Sequence, residues 1–198
     1  EEQQALLDLS NQIFEGSSPA DRVEEIETTE ERFDSDLWKE LANANLLGVA
    51  IPEEYGGLGL SACTYVKIVE RVSAVWMSLS GIFNSHLIMC AAVERFGSEE
   101  LKRAYLPKFA TGELRGGIAL TEPDCGTDLQ AVRTRAEKNG EEYVVTGNKM
   151  WSTNAVKGHI LAVLCKTDLE ADGLRHKGMS LLLIEKSMGY KASKLKIS

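Results

Sequence analysis

The sequence predicts an α+β chain of two parts, an all-helical N-terminal domain over residues 1–113 followed by an antiparallel β-barrel or sandwich domain over residues 114–198. Three observations carry this. Apolar residues recur every three or four positions up to about residue 112. From Glu113 onward the period shortens to two. Turn residues, above all Asn139-Gly140, then separate short runs rich in Val, Ile and Leu.

In chain order, Leu6, Leu9 and Ile13 share a helical face that a Gly16-Ser17-Ser18-Pro19 loop closes. Leu37, Leu41 and Ala44 mark a second helix, with Asp34 or Ser35 as its N-cap and Gly48 near its end. Ser61 caps a third, whose stripe of Tyr65, Val66, Val69, Val72 and Trp76 predicts a largely buried helix. Gly81 interrupts, Leu87, Ile88, Ala91, Ala92 and Phe96 form a fourth helix stopped by Gly97, and Ser98 opens a fifth that ends before Pro107. The stretch Pro52 to Leu60 holds neither a G-x-G-x-x-G spacing nor a Gly-Lys-Ser/Thr ending, so it reads as a tight turn and not as a phosphate loop. Strands are predicted at Gly117–Leu120, Val132–Glu137, Glu142–Thr146, Lys149–Ser152, His159–Lys166 and Met179–Glu185, with Asp168–Gly178 as a surface excursion.

Composition excludes several classes. A net charge of -8, with no Lys/Arg run longer than two, argues against nucleic acid as a partner. No apolar run approaches the roughly 20 residues of a membrane span. The opening Glu1-Glu2-Gln3-Gln4 lacks a signal sequence, and Cys63, Cys90, Cys125 and Cys165 are scattered. Reduced thiols in a cytoplasmic setting are expected. His86, His159 and His176 lie too far apart to suggest a metal cluster, and neither G-x-S-x-G nor H-E-x-x-H occurs.

The chemistry concentrates in two stretches. Gly116 to Asp128 turns a short apolar strand into a loop of hydroxyls, acids and glycine. There Pro123 cannot donate to a ladder, and Gly126 permits a tight or left-handed turn. Gly147 to Asn154 repeats the transition with a tryptophan and two hydroxyls. Leu-Thr-Glu-Pro-x-x-Gly-Thr-Asp at 120–128, followed by Gly-x-Lys-x-Trp-x-Thr-Asn at 147–154 and preceded by Tyr-Gly-Gly-x-Gly at 55–59, resembles the acyl-CoA dehydrogenase family across essentially the whole chain.

The resemblance implies FAD bound against the β domain by Ile118, Ala119, Leu120, Thr121, Gly126, Thr127, Trp151, Ser152 and Thr153. Thr121 and Thr153 would hydrogen-bond the polar edge of the isoalloxazine, and Trp151 would pack on the ring. It also implies dehydrogenation of an acyl-CoA thioester, hydride leaving the β-carbon for flavin N5. An electron-transfer flavoprotein would accept the electrons, and the protein would form a homo-oligomer, dimer or tetramer, or a heteromer. Thr127, Asn84 and Ile88 would face substrate, with Asn84 or His86 able to read a polar acyl group. No catalytic residue is expected within the chain. The family's carboxylate base is expected beyond Ser198 in a C-terminal helical domain, which makes the 198 residues a fragment, inactive alone, while Glu122 and Asp128 brace the loop. Asp124, Cys125 and Ser152 depart from the family pattern, and Asp124 would repel phosphates unless it points outward or meets a base. A flavin-dependent oxidase or monooxygenase on the same fold, or a silent binding subunit, is the alternative.

Overall fold

The computed structural model describes residues 4, 8, 9, 11–13, 16, 20–28, 35–168 and 176–194. It divides into two compact units, Glu1–Arg115 and Gly116–Ser198.

The first unit is helical, with α1 (Ala20–Thr28), α2 (Ser35–Asn43), α3 (Ala62–Val75), α4 (Met77–Phe96) and α5 (Glu99–Ala110). Leu9 and Ile13 are helical as expected, Gly16 is helical too, and Leu6 and Ser17 to Pro19 lie outside the described residues. Leu37, Leu41, Leu46, Leu47, Ile68, Val72 and Phe83 are fully buried in one core, each contributing about 1.5–3 kcal/mol of apolar burial. Ser61 and Ser98 cap α3 and α5, their hydroxyls accepting from the N–H of Thr64 at 3.4 Å and of Leu101 at 3.2 Å. Ser35 begins α2, and the other cap expected there, Asp34, lies outside the described residues.

Three helical expectations are corrected. α3 is a surface helix: Val66 is 60% exposed, and the buried positions are Thr64, Ile68 and Val72, spaced four apart. The predicted stripe mixed that face with its neighbours. α4 runs through Gly81, and the break falls at Trp76, whose extended backbone (φ -152°, ψ 101°) ends one helix and caps the next. An interior glycine costs a helix only about 1 kcal/mol. α5 continues through Pro107 to Ala110, because the ring lies on the exposed side while Leu106, Phe109 and Ala110 are buried.

Pro52 to Leu60 is a structural turn. Gly56 and Gly59 have φ of 83° and 58°, and a Cβ on Gly57 would stand 2.1 Å from the Ile51 carbonyl oxygen. Leu58, Gly59 and Leu60 donate back to Gly48, Ile51 and Val49 at 2.8–2.9 Å, satisfying the backbone without a ligand.

The second unit is the expected β domain, and among the described residues its strands form one mixed sheet, so the pairing is not antiparallel throughout. Its strands are β1 (Gly116–Ala119), β2 (Arg135–Asn139), β3 (Glu142–Thr146), β4 (Ile160–Lys166) and β5 (Met179–Glu185). β5 runs antiparallel along the whole of β4, so β1 and β2 share the other edge of β4, both parallel to it. The 40-residue separation of β1 from β4 removes the hairpin constraint that would have made them antiparallel. Asn139-Gly140 does make its hairpin: Asn139 pairs with Glu142, and Gly140 turns with φ 66°. Among the described residues, no helix is long and apolar enough to cross a membrane.

His86 is fully buried in the helical unit, edge-on to Trp38 and Phe109, and its Nε2–H donates to the Phe109 carbonyl at 3.1 Å. Burial, aided by Arg115 and opposed by that hydrogen bond, lowers its pKa to about 4. The unfolded chain therefore binds a proton near pH 6.5 that the folded chain refuses until about 4. Stability is full above pH 6.5 and is lost as pH falls towards 4, at up to about 1.4 kcal/mol per pH unit. In denaturant titrations across that window, His86→Gln is expected to show a shallower pH slope than the wild type, whatever its absolute stability.

Candidate functional site

β1 stops at Ala119 opposite Val163, and β2 resumes on the same edge at Arg135 opposite Lys166. Three residues of β4, roughly 10 Å, are thus spanned by residues 120–134, and the excess chain forms a loop. Its first turn is closed twice, Glu122 N to Cys125 O at 2.8 Å and Cys125 N to Glu122 O at 3.2 Å. Pro123 stands where a turn favours proline.

The Glu122 carboxylate faces inward. Its oxygens accept from the N–H of Arg133 (2.6 Å), the N–H of Thr134 (2.9 Å) and Lys149 Nζ (2.8 Å). Burial alone would raise its pKa, but the Lys149, Thr134 and backbone hydrogen bonds outweigh this and hold it at about 2. Asp124 meets Arg133 in an exposed pair at 2.7 Å, so its charge is balanced at the surface, where a pair contributes little to stability.

The second stretch is not the strand predicted for 149–152. Met150 N donates to Thr121 O at 2.8 Å and Lys149 Nζ to Leu120 O at 3.0 Å, and the chain then enters a left-handed conformation at Trp151 (φ 59°) and again at Asn154 (φ 69°). Side chains alternate from there. Trp151 and Thr153 are exposed, the Ser152 hydroxyl is enclosed, and Asn154 Nδ2 donates inward to Gly116 O at 2.8 Å. Positive φ in a residue as bulky as tryptophan costs of order 1 kcal/mol or more, and such strain gathers at ligand sites.

The residues read as cofactor-binding therefore separate by role. Thr121 is drawn to the second stretch through its carbonyl, while Gly126, Thr127, Trp151 and Thr153 present exposed surface. Ile118 and Leu120 are half-buried, and Ala119 packs in the sheet core with Leu161 and Val163. Ser152 offers backbone only. Gly126 does not adopt a left-handed conformation, and a Cβ there would meet nothing nearer than Thr121 Cγ2 at 3.9 Å. The chain's own packing does not require that glycine. In the helical unit Asn84 accepts a hydrogen bond from the Tyr65 hydroxyl, Ile88 is exposed, and His86, read as a possible contact for the acyl group, is instead a core residue.

The sequence makes Glu122 a brace, whereas the parts played by Lys149 and Gly147 emerge only in the fold. A Cβ on Gly147 would stand 2.3 Å from Thr134 Oγ1 and 2.7 Å from Thr134 Cα. This glycine lets the second stretch close onto the residue whose N–H binds Glu122. The Gly-x-Lys spacing was the available signal.

A family model for the acyl-CoA dehydrogenase N-terminal domain matches residues 1–113, and one for the middle domain matches residues 117–196. The mitochondrial isovaleryl-CoA dehydrogenase of Solanum tuberosum is 39% identical over 156 residues, 78% of this chain and 37% of that protein. Its compartment lends no support to the cytoplasmic expectation. Among solved structures, the acyl-CoA dehydrogenase from Geobacillus kaustophilus superposes with a TM-score of 0.82 at 33% identity, covering 94% of this chain and 48% of that one. A glutaryl-CoA dehydrogenase from Mycobacterium smegmatis in complex with FADH2 gives 0.81 at 26%, covering 94% and 46%. The chain thus spans less than half the length of these relatives. The family and this complex support FAD as the cofactor.

The enclosed Ser152 hydroxyl has no hydrogen-bond partner among the described residues, and leaving such a group unpaired costs about 1–3 kcal/mol. Ser152→Ala is expected to raise the unfolding free energy by about 1 kcal/mol in urea titrations. The matches to both the N-terminal and the middle domain establish that this chain belongs to the acyl-CoA dehydrogenase family.

Proposed function

We propose that residues 116–154 form the flavin cradle of an FAD-dependent enzyme that dehydrogenates acyl-CoA thioesters. The observation that carries this is Trp151, an indole 65% exposed on a left-handed backbone. Among the described residues, no contact of the unit accounts for either feature. The donor set fits the isoalloxazine and phosphates of FAD: the Thr127 and Thr153 hydroxyls are exposed, and the N–H groups of Gly126, Thr127, Ser152 and Thr153 make no backbone hydrogen bond among the described residues. Gly126 leaves space that a side chain would fill.

FAD, when bound, supplies the two-electron acceptor. The chain's residues would hold it: Trp151 would pack on the ring, Thr153 and Thr121 would bond its polar edge, and Thr127 and Gly126 would face the phosphates or the thioester. Glu122 is engaged by three donors and held ionised, which suits a brace and not a proton-abstracting base. As parts of the same proposal, the base lies outside these residues, and an electron-transfer flavoprotein and an oligomeric state are carried over. Asn84, fixed by Tyr65, is the candidate reader of a polar acyl group.

Trp151→Gly is expected to stabilise the flavin-free chain by about 1 kcal/mol by relieving the left-handed strain, yet to weaken FAD binding. Thr153→Ala is expected to leave stability within about 0.5 kcal/mol and to weaken FAD roughly fivefold, the equivalent of one hydrogen bond. Thermal melts and fluorescence titration with FAD measure the two effects. Unchanged affinity in both variants would sink the FAD reading. Anaerobic addition of an acyl-CoA to the FAD-loaded chain is expected to leave the flavin's visible absorbance intact, and bleaching would locate the base within these 198 residues.

A further inference from the structure

We propose that Glu122 and Lys149 are positioning residues that join the two halves of the cradle into one rigid body, so that Trp151 and Thr153 are placed by a loop 27 residues upstream. The proposal rests on the FAD reading for its purpose, though not for its geometry.

Three successive residues of the first half each receive a bond from the second. Leu120 O accepts from Lys149 Nζ at 3.0 Å, Thr121 O from Met150 N at 2.8 Å, and Glu122 Oε1 from Lys149 Nζ at 2.8 Å. The two charged side chains are only 5% and 11% exposed, so little water competes and salt screens the pair weakly. Each partner of Glu122 and Lys149 in this network lies outside the named strands: Leu120 follows β1, Arg133 and Thr134 precede β2, and residues 149–150 follow β3. The clasp therefore fastens the segments that face the ligand and leaves the sheet ladder to its own hydrogen bonds. Lys149 is two residues from Trp151 and four from Thr153, too close for the clasp to shift without moving both. A group buried in this way has no surface to offer a ligand, and it acts through the groups it places.

The experiment compares the wild-type chain with Glu122→Gln, Lys149→Met, the double variant and, as a control for general loss of stability, Val163→Ala in the sheet core. The first measurement is backbone hydrogen exchange without FAD. Protection is expected to fall together at the bonded amides of Glu122 and Cys125 and at that of Met150 in both single variants while β4 and β5 keep theirs. Loss confined to one segment, or spread equally over the sheet, overturns the proposal. The second is FAD affinity with visible circular dichroism of the bound flavin. The single variants are expected to bind roughly tenfold more weakly or worse with an altered flavin spectrum, and Val163→Ala to keep both. Equal affinities and spectra in Glu122→Gln and Val163→Ala overturn it. The double variant leaves no unpaired buried charge and serves if a single variant fails to fold: it should match the wild type in stability while its flavin spectrum stays altered, and a wild-type spectrum would overturn the proposal. If the wild-type chain binds no FAD the FAD reading fails, and the exchange measurement decides the clasp by itself.

Discussion

The second unit depends on one buried carboxylate. Glu122 sits where a polar loop leaves a sheet edge, and an isolated charge in that position would be costly. It is tolerated because two backbone N–H groups and an ammonium converge on it. Those N–H groups belong to Arg133 and Thr134, the last residues before the chain rejoins β4, so the carboxylate ties the start of the excursion to its end. Because these bonds favour the ionised form, the tie contributes its full stability above the ordinary carboxylate range and loses it progressively as pH falls from about 4.5 to about 2. Across the range in which His86 titrates, the clasp keeps its charge.

This network explains the motif spacings in physical terms. Glu122 follows Thr121 directly, so the turn that Pro123 begins carries the carboxylate inward while the Thr121 carbonyl is left to meet Met150. Gly147 must lack a side chain because Thr134 occupies that space. Lys149 then falls within reach of Glu122 and Leu120, and Trp151 and Thr153, two and four residues on, emerge on the exposed side. The glycine, lysine, tryptophan and threonine of the second stretch are thus steps of a single path in which the chain approaches, is pinned and turns outward.

Legibility in the sequence followed how local the determining physics was. The serine caps at Ser61 and Ser98, the Asn139-Gly140 hairpin and the Tyr55 to Gly59 turn depend on a few neighbouring residues, and each was readable. The parallel pairing of β1 and β2 with β4 depends on which distant segments share an edge, which alternation along one strand does not encode. Gly81 and Pro107 misled because local propensity was outweighed by burial of the opposite helix face. At the site, resemblance singles out Trp151 and Thr153, and the folded chain adds that both are exposed. The enclosure of Ser152 and the role of Lys149 were not legible, since both follow from left-handed turns and long-range hydrogen bonds that only the folded chain displays.

The cradle is also where local preference and overall structure disagree. Trp151 and Asn154 accept left-handed conformations, Ser152 encloses a hydroxyl among groups that do not bond it, and Gly126 leaves space where a side chain would fit. Each is an opportunity for greater stability left unused, and together they occupy the surface where donors and an indole stand exposed. Such a segment holds its shape only if its neighbours over-determine it. Met150 is bonded just before the first left-handed residue, and Asn154 is bonded to Gly116 O at the second. The strain is thus confined between two fixed points, and Trp151 to Thr153 form a short arch whose outward groups have little freedom to turn away.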